Sequence, residues 1–222
     1  MRERLPVLCA TLVAALATTA QVAGADAPEV TCKGKPATYV GTNGDDHLTR
    51  GDFDLGKNPV VALRGGDDRL VLRGDESTGK VTLCGAGGRD LLVATKGADA
   101  ASYVIDGGPG ADRIGDDSDV DNSRIGPLEL TGGSGDDEMF GADFGDRLNG
   151  GSGDDLMLAL DGDDRIVGGS GDDSLFGDGG DDRSFGGDGD DRIESGGGDD
   201  LGDGGDGADS CKSVEDARDC ES

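Results

Sequence analysis

Thirteen aspartates recur at fixed positions in short glycine-rich segments of this sequence, and they are its most regular chemical feature. Each comes two residues before a mostly aliphatic position, as in GGSGDDSLF at 168–176 and GGDGDDRIE at 186–194. They are Asp46, Asp68, Asp90, Asp112, Asp137, Asp146, Asp155, Asp164, Asp173, Asp182, Asp191, Asp200 and Asp209. Carboxylates stacked without counter-ions would repel each other. The pattern therefore predicts ligands for a hard cation that takes about 6–8 oxygen atoms, and Ca²⁺ is the natural candidate.

The segments that carry these aspartates are nonapeptide repeats. Nine consecutive copies begin at 132, 141, 150, 159, 168, 177, 186, 195 and 204, and four more begin at 41, 63, 85 and 107. Position six is Asp in all thirteen, and position eight is Leu, Ile or Met in ten. Within GGSGDDSLF we expect Asp173 to be the ligand and Leu175 to face the core, because side chains alternate along a strand. Phe176 should face outward, and Asp172 should contribute only charge and solubility.

The pattern G-G-x-G-x-D-x-U-x resembles that of the RTX, or hemolysin-type, calcium-binding repeat family, and the resemblance covers nearly all of residues 41–212. It implies an all-β fold, a parallel β-roll or β-solenoid, in which six-residue turns bind Ca²⁺ and the last three residues of each repeat form a strand. It also implies a secreted bacterial calcium-binding protein. Many family members use a C-terminal export signal, whereas this sequence begins with features of an N-terminal one, so toxin-type export is not expected.

The repeat spacing predicts how the turns stack. Two nonapeptides make one rung of 18 residues, with adjacent rungs roughly 4.8 Å apart. In the N-terminal half the rungs are 22 residues long, because loops such as 50–59 and 73–80 replace the second turn. We expect nine stacked turns on one face, starting at 41, 63, 85, 107, 132, 150, 168, 186 and 204, and four on the other, starting at 141, 159, 177 and 195. The gaps between them offer up to about eleven Ca²⁺ sites, eight on one face and three on the other.

The core should be a single file of inward side chains. On one side these are Leu48, Leu70, Leu92, Ile114, Met139, Met157, Leu175 and Ile193. Each contributes about 1.5–3 kcal/mol when fully buried. Because ordering so much glycine costs conformational entropy, we expect the cation to supply the remaining stability.

The two ends of the chain differ from the repeats. Arg2 and Arg4, the apolar stretch Leu5–Ala20 and the A-x-A site Ala23–Ala25 predict a Sec-type signal peptide over residues 1–25, and hence an extracellular protein. Residues 26–40 should form an N-terminal cap, with Tyr39 in the inward register. Residues 41–131 and 132–212 should form the 22-residue and 18-residue parts of the β-roll, and residues 213–222 the C-terminal cap.

Four cysteines remain after the signal peptide: Cys32, Cys84, Cys211 and Cys220. An even number in a secreted chain predicts two disulfides, for which three pairings exist. Cys211 and Cys220 enclose eight residues and are the local choice, which leaves Cys32 to pair with Cys84.

Charge and composition restrict the classes of binding partner. The formal net charge is -28, so the surface repels nucleic acid phosphates and anionic lipid heads and attracts cations. The apolar N-terminal run is too short for a convincing membrane span. Low hydrophobicity and high charge would also suit a disordered chain, but the registered repeats favour a fold.

The sequence contains no recognisable catalytic constellation. His47 is the only histidine, and no G-x-S-x-G motif occurs. We therefore expect a non-enzymatic structural, adhesive or interaction module. The alternative is a calcium-dependent polysaccharide-modifying enzyme, or an accessory module of one, by analogy with β-roll epimerases.

Position nine supplies a candidate contact surface. Val71, Val93, Phe140, Leu158 and Phe176 should face outward as an apolar stripe. Such a stripe could serve self-association or bind a cell-surface or matrix component.

Overall fold

A computed structural model describes residues 30–49, 58–73, 79–95, 102–116 and 126–221 of the chain. The predicted signal peptide and most of loops 50–59 and 73–80 lie outside these ranges. Within them every regular element is a β-strand. No helix in the described part of the chain is both long and apolar enough to cross a membrane.

The strands form a small hairpin and two large parallel sheets. The hairpin pairs β1 (Thr31–Cys32) with β2 (Lys35–Pro36). The ten-stranded sheet contains β3 (Tyr39–Val40), β5 (Val60–Ala62), β7 (Lys80–Cys84), β9 (Ser102–Pro109), β11 (Leu128–Ser134), β13 (Arg147–Ser152), β15 (Arg165–Ser170), β17 (Arg183–Asp188), β19 (Leu201–Asp206) and β21 (Asp216–Arg218). The nine-stranded sheet contains β4 (His47–Thr49), β6 (Arg69–Arg73), β8 (Leu91–Thr95), β10 (Arg113–Asp116), β12 (Glu138–Phe140), β14 (Leu156–Leu158), β16 (Ser174–Gly179), β18 (Arg192–Gly197) and β20 (Ser210–Lys212).

The chain alternates between the two sheets, so that each strand pairs in parallel with the strand two elements later. Leu148 pairs with Ile166 across an 18-residue rung, and Leu70 pairs with Leu92 across a 22-residue rung. This register confirms the predicted parallel β-solenoid, and it confirms that the longer N-terminal rungs continue the same stack.

The core runs as a file between the sheets, and all eight predicted inward residues of the nine-stranded sheet are buried. The inward side chains of this file become smaller at its C-terminal end. In the ten-stranded sheet Leu148 and Ile166 are followed by Ser184 and then Gly202. Val214 packs over this narrow end, with its γ-carbons 3.0 and 3.2 Å from the place where a Cβ on Gly202 would stand.

The N-terminal hairpin lies on the outer face of the ten-stranded sheet. Cys32 is buried there with Val60 and Ala62, and it forms a disulfide with Cys84. Lys33 extends the contact, with its Nζ 2.9 Å from Asp106 Oδ2. Residues 31–36 are therefore strapped to the flank of the solenoid. The other disulfide joins Cys211 to Cys220, so both favoured pairings are confirmed.

The predicted apolar stripe does not form an exposed surface. Val71 and Val93 are buried, and the other three members are partly buried. The Arg113 guanidinium lies 4.3 Å from the ring centre of Phe140, and Arg192 covers Phe176 in the same way. The prediction of exposure was wrong, and at the two phenylalanines the reason is that arginines on neighbouring strands fold over the rings.

Candidate cation sites between the turns

The thirteen position-six aspartates form two columns along opposite edges of the solenoid. Nine lie where the chain passes from the ten-stranded to the nine-stranded sheet, and four lie where it passes back. All thirteen are buried, at most 5% exposed. Because the strands pair without slippage, the turns between them also stack, and each aspartate lies next to its counterpart in the neighbouring turn.

Each carboxylate after the first in a column is held by the turn before it. Oδ1 of Asp173, for example, accepts a hydrogen bond from the main-chain N–H of Asp155, with an N···O distance of 2.8 Å. The same bond, at 2.6–2.9 Å, joins all eight neighbouring pairs of the long column and all three of the short one. These bonds fix the direction of the carboxylates along the stack. We call the series of bonded position-six aspartates the inner ladder.

The second carboxylate oxygen has no partner at most of these positions. Oδ2 of eleven of the thirteen aspartates is buried without a hydrogen bond: Asp68, Asp90, Asp112, Asp137, Asp155, Asp164, Asp173, Asp182, Asp191, Asp200 and Asp209. At the other two, Asp46 and Asp146, Oδ2 accepts the N–H of Thr42 and Ala142 at 2.7 and 2.6 Å. A buried carboxylate oxygen without a partner is costly, so these eleven atoms call for a cation or a proton.

Main-chain carbonyl oxygens lie close to these unpaired atoms. A Cβ added to Gly168 would collide both with Asp173 Oδ2 and with the carbonyl oxygen of Gly186 in the next turn. The same pair of collisions occurs at Gly85, Gly107, Gly132, Gly150 and Gly186. A carboxylate oxygen and a carbonyl oxygen of the following turn therefore converge beside the first glycine of the repeat.

The glycines at positions two and four bring further carbonyl groups to the gaps. Gly169 and Gly171 have φ values of +125° and +124°, and a Cβ on them would meet the carbonyl oxygens of Gly151 and Gly153. Each turn thus presents two carbonyl oxygens to the turn that follows. The donors are all oxygen, charged and neutral, which suits Ca²⁺ and not a thiolate- or imidazole-seeking metal.

Side chains alone do not complete any of these sites. In the ranges the structure describes, no three Asp, Glu, His or Cys side chains come together around one point as a metal cluster. A bound cation would therefore depend on the turn carbonyl groups as well as on the aspartates. His47 is exposed on β4.

A second ladder, which the sequence analysis missed, runs beside the first. Oδ1 of Asp172 accepts the main-chain N–H of Asp190 in the following turn at 2.9 Å, and Asp154 accepts that of Asp172. Eight position-five aspartates act in this way: Asp45, Asp67, Asp136, Asp154, Asp163, Asp172, Asp181 and Asp190. Asp172 therefore does more than supply charge and solubility. The recurrence of Asp-Asp pairs was the available signal for this outer ladder.

Burial sets the protonation of the inner ladder. Loss of hydration raises the pKa of Asp173 to about 7, further raised by the charges of Asp155 and Asp191, while the hydrogen bond from Asp155 opposes the change. Burial likewise raises the pKa to about 7 for Asp137, Asp146 and Asp164, and to about 6 for Asp68, Asp90, Asp112, Asp155, Asp182 and Asp191. Without a cation, these carboxyl groups of the folded stack therefore keep their protons up to a pH of about 6–7, well above the range of an ordinary aspartate.

Comparison with known proteins agrees with this geometry. The chain matches the family model described as the RTX calcium-binding nonapeptide repeat (4 copies), over residues 85–115, 129–148, 140–175, 158–193 and 176–211. A search of curated proteins found no match. The matched ranges together span just over half of the chain and include most of the inner ladder. The chain therefore belongs to the RTX calcium-binding repeat family.

Proposed function

We propose that this protein is a secreted structural or adhesive module whose β-solenoid folds around several Ca²⁺ ions outside the cell. The observation that carries the proposal is the set of eleven buried, unpaired Oδ2 atoms in register along the two edges. A divalent cation between turns neutralises them and takes the adjacent carbonyl oxygens as further ligands. The thirteen position-six aspartates are the proposed side-chain ligands.

The residues of each turn have different roles in the proposed ion binding. The inner-ladder hydrogen bond occupies Oδ1 and aims the carboxylate, while Oδ2 stays free for the ion. Glycine at positions one, two and four lets neighbouring turns approach closely enough to share it. Because ions bound only by the folded state add to its stability, folding should depend on Ca²⁺ at about 10⁻⁴–10⁻³ M, the affinity range of extracellular modules.

Circular dichroism on the mature chain tests this proposal. In EGTA at pH 7.5 we expect little β-sheet signal, and in 5–10 mM Ca²⁺, about five to ten times the upper end of that Kd range, a cooperative gain of β structure. Mg²⁺ at the same concentration is the control, and it should be much less effective because it demands a smaller, octahedral site. A β spectrum that is identical in EGTA and in Ca²⁺ would refute calcium-dependent folding.

Secretion is supported by features at the N-terminus and in the fold. The basic start, apolar run and A-x-A site suit export, and the two disulfides suit an oxidising compartment. Intact mass of the protein recovered from culture medium should correspond to a mature chain that starts near Asp26. A full-length mass, or retention in the cytoplasm, would contradict the proposal.

An adhesive role is supported by a row of arginines on the ten-stranded sheet. Arg147, Arg165 and Arg183 occupy the same register on β13, β15 and β17, and all three are exposed. None forms an ion pair within the described residues, although the chain is strongly acidic. Guanidinium groups in a row suit carboxylate or sulfate groups of a cell-surface or matrix polymer.

The second candidate function is a polysaccharide-modifying enzyme, because the same row of arginines would also suit an anionic polysaccharide as substrate. Incubation with anionic polysaccharides in Ca²⁺ distinguishes the two, because a binding module retains the polymer unchanged and an enzyme alters it. Self-association is the remaining candidate use of an outer surface. Sedimentation of a Phe140→Ser, Phe176→Ser double variant tests it, since association through the half-buried rings should weaken while calcium-induced folding persists.

A further inference from the structure

The segment after the last repeat copies the contacts of a rung, although its sequence does not follow the repeat pattern. The N–H of Asp216 bonds to the carbonyl oxygen of Asp200 at 3.0 Å, just as Leu201 bonds to Asp182 one rung earlier at 2.9 Å. Strand β21 then pairs with β19 in parallel register. Residues 214–218 thus take the place of the next strand of the ten-stranded sheet.

At the opposite edge, too, the C-terminal segment takes the place of a repeat. A Cβ on Gly186 would meet the carbonyl oxygen of Gly204 in the next turn, and a Cβ on Gly204 would meet the carbonyl oxygen of Asp219. The N–H of Glu221 also bonds to the carbonyl oxygen of Asp209 at 2.6 Å. The C-terminal segment is therefore a shortened rung that covers both edges.

Glu215 occupies the position-six place in this shortened rung. Its Oε2 accepts the main-chain N–H of Asp200 at 3.0 Å. In the rung before, Oδ1 of Asp200 accepts the N–H of Asp182 at 2.9 Å. The inner ladder of the short column thus continues one step further, with a glutamate in place of an aspartate.

The end of the short column also carries uncompensated charge, although Glu215 is exposed while the aspartates of the column are buried. Asp200 is 2% exposed, and its Oδ2 has no hydrogen-bond partner. The Glu215 carboxylate accepts the main-chain N–H of Asp200 and so adds a second negative charge next to this residue. None of the ion pairs formed within the described residues involves Glu215 or Asp200.

We propose that Glu215 is a cation ligand, and that a Ca²⁺ ion binds between it and the turn 195–200. This inference rests on the proposed calcium-dependent fold and adds to it one ion whose carboxylate comes from outside the nonapeptide pattern. The ion would join the C-terminal rung to the last turn of the short column. The four-turn column then offers one site more than the three gaps counted from its repeats.

The test counts ions on single molecules. Native mass spectrometry of the mature wild-type chain in Ca²⁺ gives the number of ions bound, and Glu215→Gln should bind one fewer. Glutamine keeps a side-chain oxygen that can accept the Asp200 N–H, so the hydrogen bond survives while the charge is lost. Glu221→Gln removes the same charge from the same segment and should leave the count unchanged.

The outcomes distinguish failure of the proposed function from failure of the role proposed for Glu215. A wild-type chain that binds no Ca²⁺ refutes the proposed function itself. A wild-type chain that binds many ions, with Glu215→Gln binding the same number, overturns only the role of Glu215. Loss of several ions together with faster reduction of the Cys211–Cys220 disulfide also overturns it, because Glu215 would then be holding the segment in place and not an ion.

Discussion

Asp172 and Asp173 are consecutive residues whose carboxylates bond in opposite directions along the solenoid. Asp172 Oδ1 accepts the N–H of Asp190 in the following turn, and Asp173 Oδ1 accepts that of Asp155 in the preceding turn. Neighbouring turns are therefore held together twice, once from each side. Only the inner carboxylate is buried with a free oxygen, so both aspartates bond neighbouring turns and the division between them concerns ion binding, for which only Asp173 has an oxygen left.

Replacing the two aspartates separately should reveal that division. Asp173→Asn keeps an Oδ1 acceptor but removes the charge next to the gap, so we expect the Ca²⁺ midpoint of folding to rise roughly tenfold, about 1.4 kcal/mol. Asp172→Asn removes an equal charge from the exposed outer ladder and should shift the midpoint by less than about threefold, about 0.7 kcal/mol. Calcium titration followed by circular dichroism measures both, and equal shifts would contradict the division.

Acid should replace calcium in part. Ten of the inner-ladder aspartates, Asp173 and Asp137 among them, have folded pKa values of about 6–7 against an ordinary value of 3.8, because burial disfavours their charge. A raised folded pKa stabilises the fold fully below the ordinary pKa, and this stabilisation is lost as pH rises through 6–7. In EGTA, circular dichroism should therefore show more β structure, melting at a higher temperature, at pH 4.5 than at pH 7.5, where little of it is expected.

Saturating Ca²⁺ should reverse that dependence. The ion binds the deprotonated carboxylates, so its affinity should fall as pH drops through 6–7. Melts in calcium should thus gain stability from pH 5 to pH 7.5. If stability in EGTA instead increased with pH, the buried carboxyl groups could not be titrating as the structure indicates.

The sequence predicted the stacked part of the fold because most repeats carry one inward aliphatic residue at a fixed position. The repeat period sets the register, and it predicts Leu70 over Leu92 and Leu148 over Ile166, which is how the strands pair. It also placed all thirteen position-six aspartates in two columns. The spacing of 22 residues was informative for the same reason, since the returning strands stay in register whatever the loops contain.

Features outside the period could not be predicted in this way. The hairpin at 31–36 follows no repeat, so its position on the flank became clear only in three dimensions. Position five varies between Asp172, Arg89 and Ala111, which hid the outer ladder. Glu215 belongs to a segment with no glycine turn, and only its bond to Asp200 shows which place it occupies.

Removing one buried hydroxyl should stabilise the core. Ser184 lies between Ile166 and Gly202 in the inward file, and its Oγ is fully buried with no partner. Ser184→Ala abolishes that unsatisfied group without adding atoms, which should stabilise by about 1 kcal/mol and raise the Tm in Ca²⁺ by about 2–4 °C. Ser174→Ala, on the outer side of β16, is the control and should change little. A lower Tm for Ser184→Ala would mean that the hydroxyl has a partner such as a buried water.

The two disulfides should protect opposite ends of the solenoid. Cys32–Cys84 spans 52 residues and ties the hairpin to Val60 and Ala62, and closing a loop of that length contributes about 4 kcal/mol in the chain-entropy model. In Cys32→Ala, Cys84→Ala, hydrogen exchange should therefore speed up chiefly in β5 and β7, because rungs contact only their neighbours. The Cys211→Ala, Cys220→Ala pair is the matched control: its separation is 9 residues, it should cost less, about 2–3 kcal/mol, and it should affect β19 to β21. Uniform loss of protection along the chain in either variant would show that the stack unfolds as one unit and not rung by rung.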